Sequence, residues 1–258
     1  MIAQASVIAA LMFYLGAMYS SQYFGYFHIS VYSLDFGFAP LVLQSLKLVR
    51  SPVLVAAVVI LVATTGVRHS TGRPWSGQRA HISTALASVA RYYPVVVAAG
   101  LVLLIFWSQI QPYEWAAPVT LAVGFLLSQI PHGRRPEGAR RPGVLFFAAA
   151  VCTFWALTQT ALQLGEGDAK ARASHVQSWP SVILLSSRPL SLPPPGVQEE
   201  TLRRKDLRLP YRYTGLRLLI ERNGRYYVVP LDWKAKTDPI YVIHESDDLW
   251  VGLGPGVQ

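Results

Sequence analysis

The sequence predicts an α-helical membrane protein of about five spans followed by a small antiparallel β domain. The first observation is the distribution of charge. Charged residues make up 14% of the 258-residue chain, against about 25% in ordinary soluble domains. Residues 1–163 contain three acids, whereas residues 164–258 contain eleven. The second observation is an Asn-Gly pair between two apolar runs in the charged part, which predicts a β hairpin.

Five segments have the composition of membrane spans. A bilayer-crossing helix needs about 20 mostly apolar residues. Two of the five, the second and the fourth, are short by this measure. The first could be read as a signal peptide, but it lacks a basic n-region and its apolar stretch exceeds the usual h-region, so we expect a retained helix. The predicted spans are residues 2–22, 52–67, 93–109, 116–130 and 143–163.

Two short basic loops predict the orientation of these spans. They supply +7 of the formal net charge of +9 and follow the second and fourth spans. Arginine-rich loops stay in the cytoplasm. By parity, the N-terminus is then cytoplasmic and the C-terminal region extracytoplasmic. The topogenic arginines are Arg68, Arg73, Arg79, Arg91, Arg134, Arg135, Arg140 and Arg141.

An aromatic-rich segment, residues 23–50, joins the first two spans. Tyrosine rings suit the headgroup level of a bilayer, so an interfacial connector is the favoured interpretation. A re-entrant segment is the alternative, and the sequence leaves this open.

The C-terminal part begins with a predicted linker at residues 164–180, followed by a β-rich domain at residues 181–258. Asn223 and Gly224 suit a two-residue type I′ turn, in which both positions need a positive φ. That turn predicts the pairs Ile220–Tyr227, Leu218–Val229 and Leu216–Leu231, with all six residues on one face. Further strands are expected near residues 182–185, 240–243 and 249–253, which makes four or five in all.

Both ends of the chain carry a resemblance. The stretch Tyr211-Arg-Tyr-Thr-Gly-Leu-Arg-Leu-Leu-Ile, the following Asn-Gly-Arg-Tyr-Tyr-Val-Val-Pro, and Tyr14-Leu-Gly-Ala-Met-Tyr near the start resemble uncharacterised bacterial multi-pass membrane proteins with a small C-terminal β domain. The resemblance implies this architecture and carries no activity.

No catalytic, cofactor or metal motif stands out in the sequence, so we expect no enzyme activity, no cofactor and no metal. The chain has no P-loop, GxGxxG, GxSxG or HExxH pattern, and a single cysteine excludes an intrachain disulfide. The remaining polar candidates for function are Asp35, a lone acid beside aromatic residues, and His244, Asp247 and Asp248 in an acidic turn. A polar anchor is the simpler interpretation of Asp35, and a solvated turn is the simpler interpretation of the acidic turn.

The predicted function is therefore to present an extracytoplasmic β domain for binding or assembly in the cell envelope. The expected partners are the lipid bilayer and an envelope protein or a second copy of the chain, and no nucleic acid. The alternative is a subunit of an oligomeric transporter or channel.

Overall fold

The computed structural model describes residues 2–50, 92–106, 109, 113, 115–128, 142–192, 196–202 and 207–256. The predicted span at residues 52–67 and all eight topogenic arginines lie outside these ranges. The α-helices in the described part are α1 (Ile2–Tyr26), α2 (Phe38–Ser45), α3 (Tyr93–Ile105), α4 (Ala116–Leu127) and α5 (Pro142–Ala173). Short 3-10 helices occupy Val31–Leu34, Leu46–Arg50 and Val176–Ser178.

The chain divides into two compact units, each built from separate stretches of sequence. The helical unit comprises Met1–Tyr19 and Phe38–Leu164. The sheet unit comprises Ser20–Gly37 and Gly165–Gln258. Helices α1 and α5 therefore both end in the sheet unit. The sequence predicted a β domain formed by residues 181–258 alone. It did not predict that residues from the N-terminal region belong to this domain.

Two of the described helices are long and apolar enough to cross a membrane, at Ala5–Tyr26 and Gly143–Ala173. Helices α3 and α4 are apolar but have 13 and 12 residues, which at 1.5 Å per residue gives about 20 Å each. They lie within the predicted spans at residues 93–109 and 116–130 and are shorter than a full crossing of about 30 Å. The expected count of about five spans is not confirmed.

Glycines allow close packing within the helical unit. A Cβ atom on Gly16 of α1 would meet the backbone of Leu41 in α2, and one on Gly100 of α3 would lie 2.8 Å from the Leu121 side chain of α4. The ring of Phe38 stacks on that of Phe13 at 5.1 Å. Helix α2 therefore packs against the middle of α1, with backbone approaching backbone.

Helix α5 extends beyond its predicted end. Residues 164–173, expected to belong to a linker, continue the helix to Ala173. The first charges after the apolar run mark the end of the apolar stretch but not of the helix. Glu166 and Lys170 stand four residues apart and form an ion pair at 2.6 Å, a spacing that supports helical structure.

Within the described residues the sheet has six strands, one or two more than expected. The strand order is β5-β4-β3-β1-β6, with β2 also pairing with β3. All pairs are antiparallel. The strands are β1 (Ser181–Ser186), β2 (Gln198–Thr201), β3 (Tyr211–Arg222), β4 (Arg225–Pro230), β5 (Tyr241–His244) and β6 (Leu249–Gly254).

The hairpin between β3 and β4 forms at the predicted turn with a different register. Asn223 and Gly224 have φ values of 52° and 69°, and Ile220 pairs with Tyr227 as predicted. An irregularity between Leu218 and Ile220 then shifts the ladder by one residue, because a β bulge adds an unpaired residue to one strand. The predicted pairs Leu218–Val229 and Leu216–Leu231 are therefore wrong, and Leu218–Val228 and Leu216–Pro230 form instead.

This bulge separates the predicted apolar face into two cores. Leu216 and Val228 belong to a core on one side of the sheet, together with Val182, Leu184 and Tyr213. The core on the other side contains Leu219, Tyr227, Val229 and Trp233 of the sheet region with Phe24, Phe27, Ile29, Leu34, Ala169, Val176 and Trp179. The side that receives the ends of α1 and α5 is called the helix face below.

Gly16→Ala should destabilise the protein by about 1–3 kcal/mol, the usual cost of overpacking, because the added methyl meets the Leu41 backbone. Gly25→Ala in the same helix meets nothing within 4 Å and should be neutral or stabilising by up to about 1 kcal/mol. Denaturant unfolding of the purified variants measures both. Equal stability of the two variants would contradict the packing of α2 on α1.

Candidate functional sites on the sheet unit

An aromatic cluster joins the end of α1 to the helix face of the sheet. We define it as Phe24, Phe27, Phe36, Trp179 and Trp233. Phe27 is completely buried, with its ring stacked on Trp233 at 5.4 Å and edge-on to Trp179 at 6.0 Å. Phe24 contacts Phe36 at 5.3 Å. Offset-stacked and edge-to-face pairs at these distances stabilise beyond their buried area, so the cluster fixes the N-terminal segment to the domain.

Hydrogen bonds from side chains to the backbone hold the loop that follows α1. The His28 Nε2 atom lies 2.6 Å from the Ala235 carbonyl oxygen. Arg222 at the end of β3 donates from Nε to the Leu34 carbonyl oxygen at 3.3 Å, and its guanidinium lies over the Phe36 ring at 5.1 Å. The loop is therefore attached to the β3–β4 hairpin and to the turn after β4.

The turn that carries Trp233 is stabilised by Asp238. The Trp233 indole N–H donates to the Asp238 carbonyl oxygen at 3.1 Å. The Asp238 carboxylate accepts from the Thr237 hydroxyl and the Lys234 backbone N–H, both at 2.8 Å. These hydrogen bonds, first from Thr237 and then from Lys234, hold the pKa of Asp238 below its ordinary value. The turn is thus formed best when this carboxylate is ionised.

Asp35 has a structural role in the loop after α1. It ends the Val31–Leu34 3-10 helix with a φ of 47°, a left-handed conformation that aspartate tolerates better than most residues. Its carbonyl oxygen accepts a hydrogen bond from Arg222 Nη2 at 3.5 Å, while the residue as a whole is exposed. The contact that ties Asp35 to the domain therefore uses its backbone.

The acidic turn does not gather into a site. His244 is exposed on β5 opposite Arg225 of β4. Asp248 accepts a hydrogen bond from the Ser187 hydroxyl on Oδ1 at 3.1 Å and from the Ser187 backbone N–H on its carbonyl oxygen at 2.9 Å. Asp247 is exposed at the tip. Within the described ranges, no group of three His, Cys, Asp or Glu side chains is close enough to hold a metal ion.

A buried arginine is the polar feature that sequence reasoning missed. Arg217 of β3 is 7% exposed, and its register opposite Val229 places it on the helix face. Its Nη1 donates to the Leu216 carbonyl oxygen at 3.3 Å, and its buried Nε has no hydrogen-bond partner in the part of the chain that the structure describes. The sequence does not show that the face of β3 that carries Arg217 is covered, so this burial could not be predicted.

Comparisons with known proteins give no family for this chain. No family model matches it, and neither a curated protein nor a solved structure does. The resemblance to bacterial multi-pass membrane proteins therefore stays a prediction.

The stability of the Trp233 turn should depend on pH through Asp238. A lowered pKa in the folded state stabilises the fold above the unfolded value of about 3.9, and this contribution is lost as pH falls through the lower folded value. Asp238→Asn should therefore weaken the fall in stability between about pH 5 and pH 2. Asp232→Asn, an exposed position in the same turn, should keep the fall. Urea midpoints measured across this range test it, and an unchanged pH profile in Asp238→Asn would contradict the assignment.

Proposed function

We propose that this protein is an integral membrane protein that presents a non-catalytic β domain outside the cytoplasm for binding or assembly in the cell envelope. One observation carries the proposal. The C-terminal turns of both long apolar helices, α1 and α5, belong to the sheet unit. Each candidate span is therefore continuous along the chain with helical residues that belong to the sheet unit.

The exposed surfaces of α1 and α5 support a bilayer around them. In each helix only 28% of the apolar window is buried, whereas the core helix of a soluble protein would be mostly buried. The exposed side chains are large and apolar, such as Val7 at 68% and Phe147 at 70%. Many exposed apolar side chains along one helix favour a covering of lipid or of another protein.

The aromatic cluster supports retention of α1 in the mature protein. A cleaved signal peptide leaves the chain. Cleavage after α1 would remove Phe24, which is 5% exposed in the core on the helix face. The same core would also lose the helical turn that leads to Phe27. A helix whose last turns complete a folded domain is better explained as a permanent anchor.

Chain direction supports an odd number of crossings. Because α1 and α5 both end in the sheet unit, they would cross a bilayer in the same direction. The chain between them must then return an odd number of times, which three or five spans in total would satisfy. Antiparallel α3 and α4, whose glycines Gly100 and Gly124 contact the opposite helix, would place the two basic loops on one side.

Reporter fusions test the orientation. A phosphatase fused after Gln258 should be active, because this enzyme folds only outside the cytoplasm, and a fluorescent protein fused there should be dark. Fusions within the second basic loop, after Glu137, should give the opposite pattern and serve as the matched control. Phosphatase activity at Glu137 combined with fluorescence at Gln258 would contradict the orientation.

A further inference from the structure

The described strands separate their charges between the two faces of the sheet. Directly paired residues share a face, and neighbours along a strand point to opposite faces. Arg217 lies on the helix face because it pairs with Val229 of the helix-face core. The same alternation puts the other strand arginines there, because their neighbours Tyr213, Glu221 and Tyr226 lie on the opposite face. The arginines on the helix face are Arg212, Arg217, Arg222 and Arg225.

The acids of the same strands are distributed the other way. Glu199 and Glu221 pair with tyrosines at the other core, so both lie on the face away from the helices. The exception is Glu200, which lies on the helix face and forms an ion pair with Arg212 at 3.6 Å. Within the described strands, the helix face is therefore basic and the opposite face acidic.

Three of the basic side chains form a row across neighbouring strands. Arg222 of β3 pairs with Arg225 of β4, which in turn pairs with His244 of β5. These three residues are called the cationic row below. Like charges directly opposite each other destabilise a sheet, and among the described residues no carboxylate forms an ion pair with the row. A repulsion that the fold leaves in place points to an anionic partner outside the chain.

Exposed apolar side chains flank the cationic face. By the same alternation, Trp250 of β6 lies on it opposite Leu185, and Val242 of β5 lies on it opposite Tyr227. Trp250 is 49% exposed and Val242 is 56% exposed. The loop that packs on the centre of the face carries Tyr32, which is 93% exposed. Basic side chains together with tryptophan and tyrosine are typical of a surface at the headgroup level of a bilayer.

We propose that the helix face of the sheet unit rests on the headgroup layer of an anionic lipid bilayer. From α5 the core on this face takes Ala169 and Ala173, and from α1 it takes residues from Tyr23 onward. Both candidate spans therefore meet the face through their last turns, and a bilayer that they cross lies on its side of the sheet. The inference rests on the membrane anchoring in the proposed function and does not depend on the orientation.

Lipid phosphate groups supply the anions that the cationic row lacks. Arginine donates paired hydrogen bonds to a phosphate, and each basic residue near an anionic surface strengthens binding about five-fold. Arg225 and His244 are exposed and can reach a headgroup, whereas Arg217 is too buried at 7% exposed. Trp250 and Val242 add the apolar contact that a bilayer interface provides.

A probe on each face of the sheet tests this contact. In a Cys152→Ala background, the full chain carries one fluorophore-labelled cysteine, at Val242 on the helix face or at Leu253 on the other face. Both positions are apolar, lie on edge strands and are similarly exposed, at 56% and 51%. The chain is reconstituted into phosphatidylcholine vesicles with about 30% phosphatidylglycerol and a lipid that carries a nitroxide quencher on its headgroup. Quenching should be at least about two-fold stronger at Val242→Cys than at Leu253→Cys, because the two side chains point to opposite faces.

Reversal of one charge in the cationic row separates lipid binding from a structural role. Arg225→Glu places a carboxylate opposite Arg222, which is an attractive pair, so the stability of the fold should not decrease. Quenching at Val242→Cys should nevertheless fall to the level seen in vesicles of phosphatidylcholine alone. Arg225→Lys keeps the charge and should retain the quenching of the parent.

Two results would overturn the proposal. One is equal quenching at Val242→Cys and Leu253→Cys, and the other is parental quenching in Arg225→Glu. Flotation of the vesicles distinguishes this failure from that of the proposed function. A chain that floats with the vesicles and shows no difference between the faces overturns the contact alone, whereas a chain that does not float overturns the membrane anchoring as well.

Discussion

The fold depends on the insertion of residues 20–37 into the helix-face core of the sheet. Phe27 is fully buried between Trp179 and Trp233, which come from segments about 150 and 200 residues later in the chain. Fully burying a single large apolar side chain is worth about 1.5–3 kcal/mol, so the aromatic cluster alone contributes a large part of the stability of a small domain. The hydrogen bonds of Arg222 and His28 then fix the path of the loop.

This constraint explains why the domain is not a separable C-terminal module. A sheet with one uncovered face is unstable alone. Here the cover consists of the last turns of α1 and α5 with the loop after α1. Two helices with long apolar stretches thus end in turns whose side chains belong to the core of the domain.

The hairpin turn and the apolar helices could be predicted from local sequence. The conformation of Asn223-Gly224 and of uninterrupted apolar runs depends mainly on those residues themselves. The contribution of residues 20–37 to the core of the sheet unit could not be predicted from local sequence. The aromatic residues of that segment suit a bilayer interface and a protein core equally well, and no local pattern names the partner. The position of the bulge could not be predicted either, since Leu218, Leu219 and Ile220 are all apolar and suit either face. That single extra residue changed the partner of Leu218 from Val229 to Val228.

The candidate polar residues show the same division between local and long-range information. The sequence predicts a turn at Asp247 and Asp248, and the structure has a turn there. The role of Asp35 depends on Arg222, nearly 190 residues away, which only the fold brings near.

Folding of the sheet unit in isolation tests this account most directly. Residues 165–258 are compared with the same fragment joined through a flexible linker to residues 20–37, using denaturant unfolding and amide exchange. The joined chain should unfold cooperatively, and the fragment alone should not. Phe27→Ala in the joined chain should cost about 3–5 kcal/mol, while Tyr32→Ala, at a position 93% exposed in the same segment, should cost little. Cooperative unfolding of residues 165–258 alone, with stability equal to the joined chain, would contradict the account.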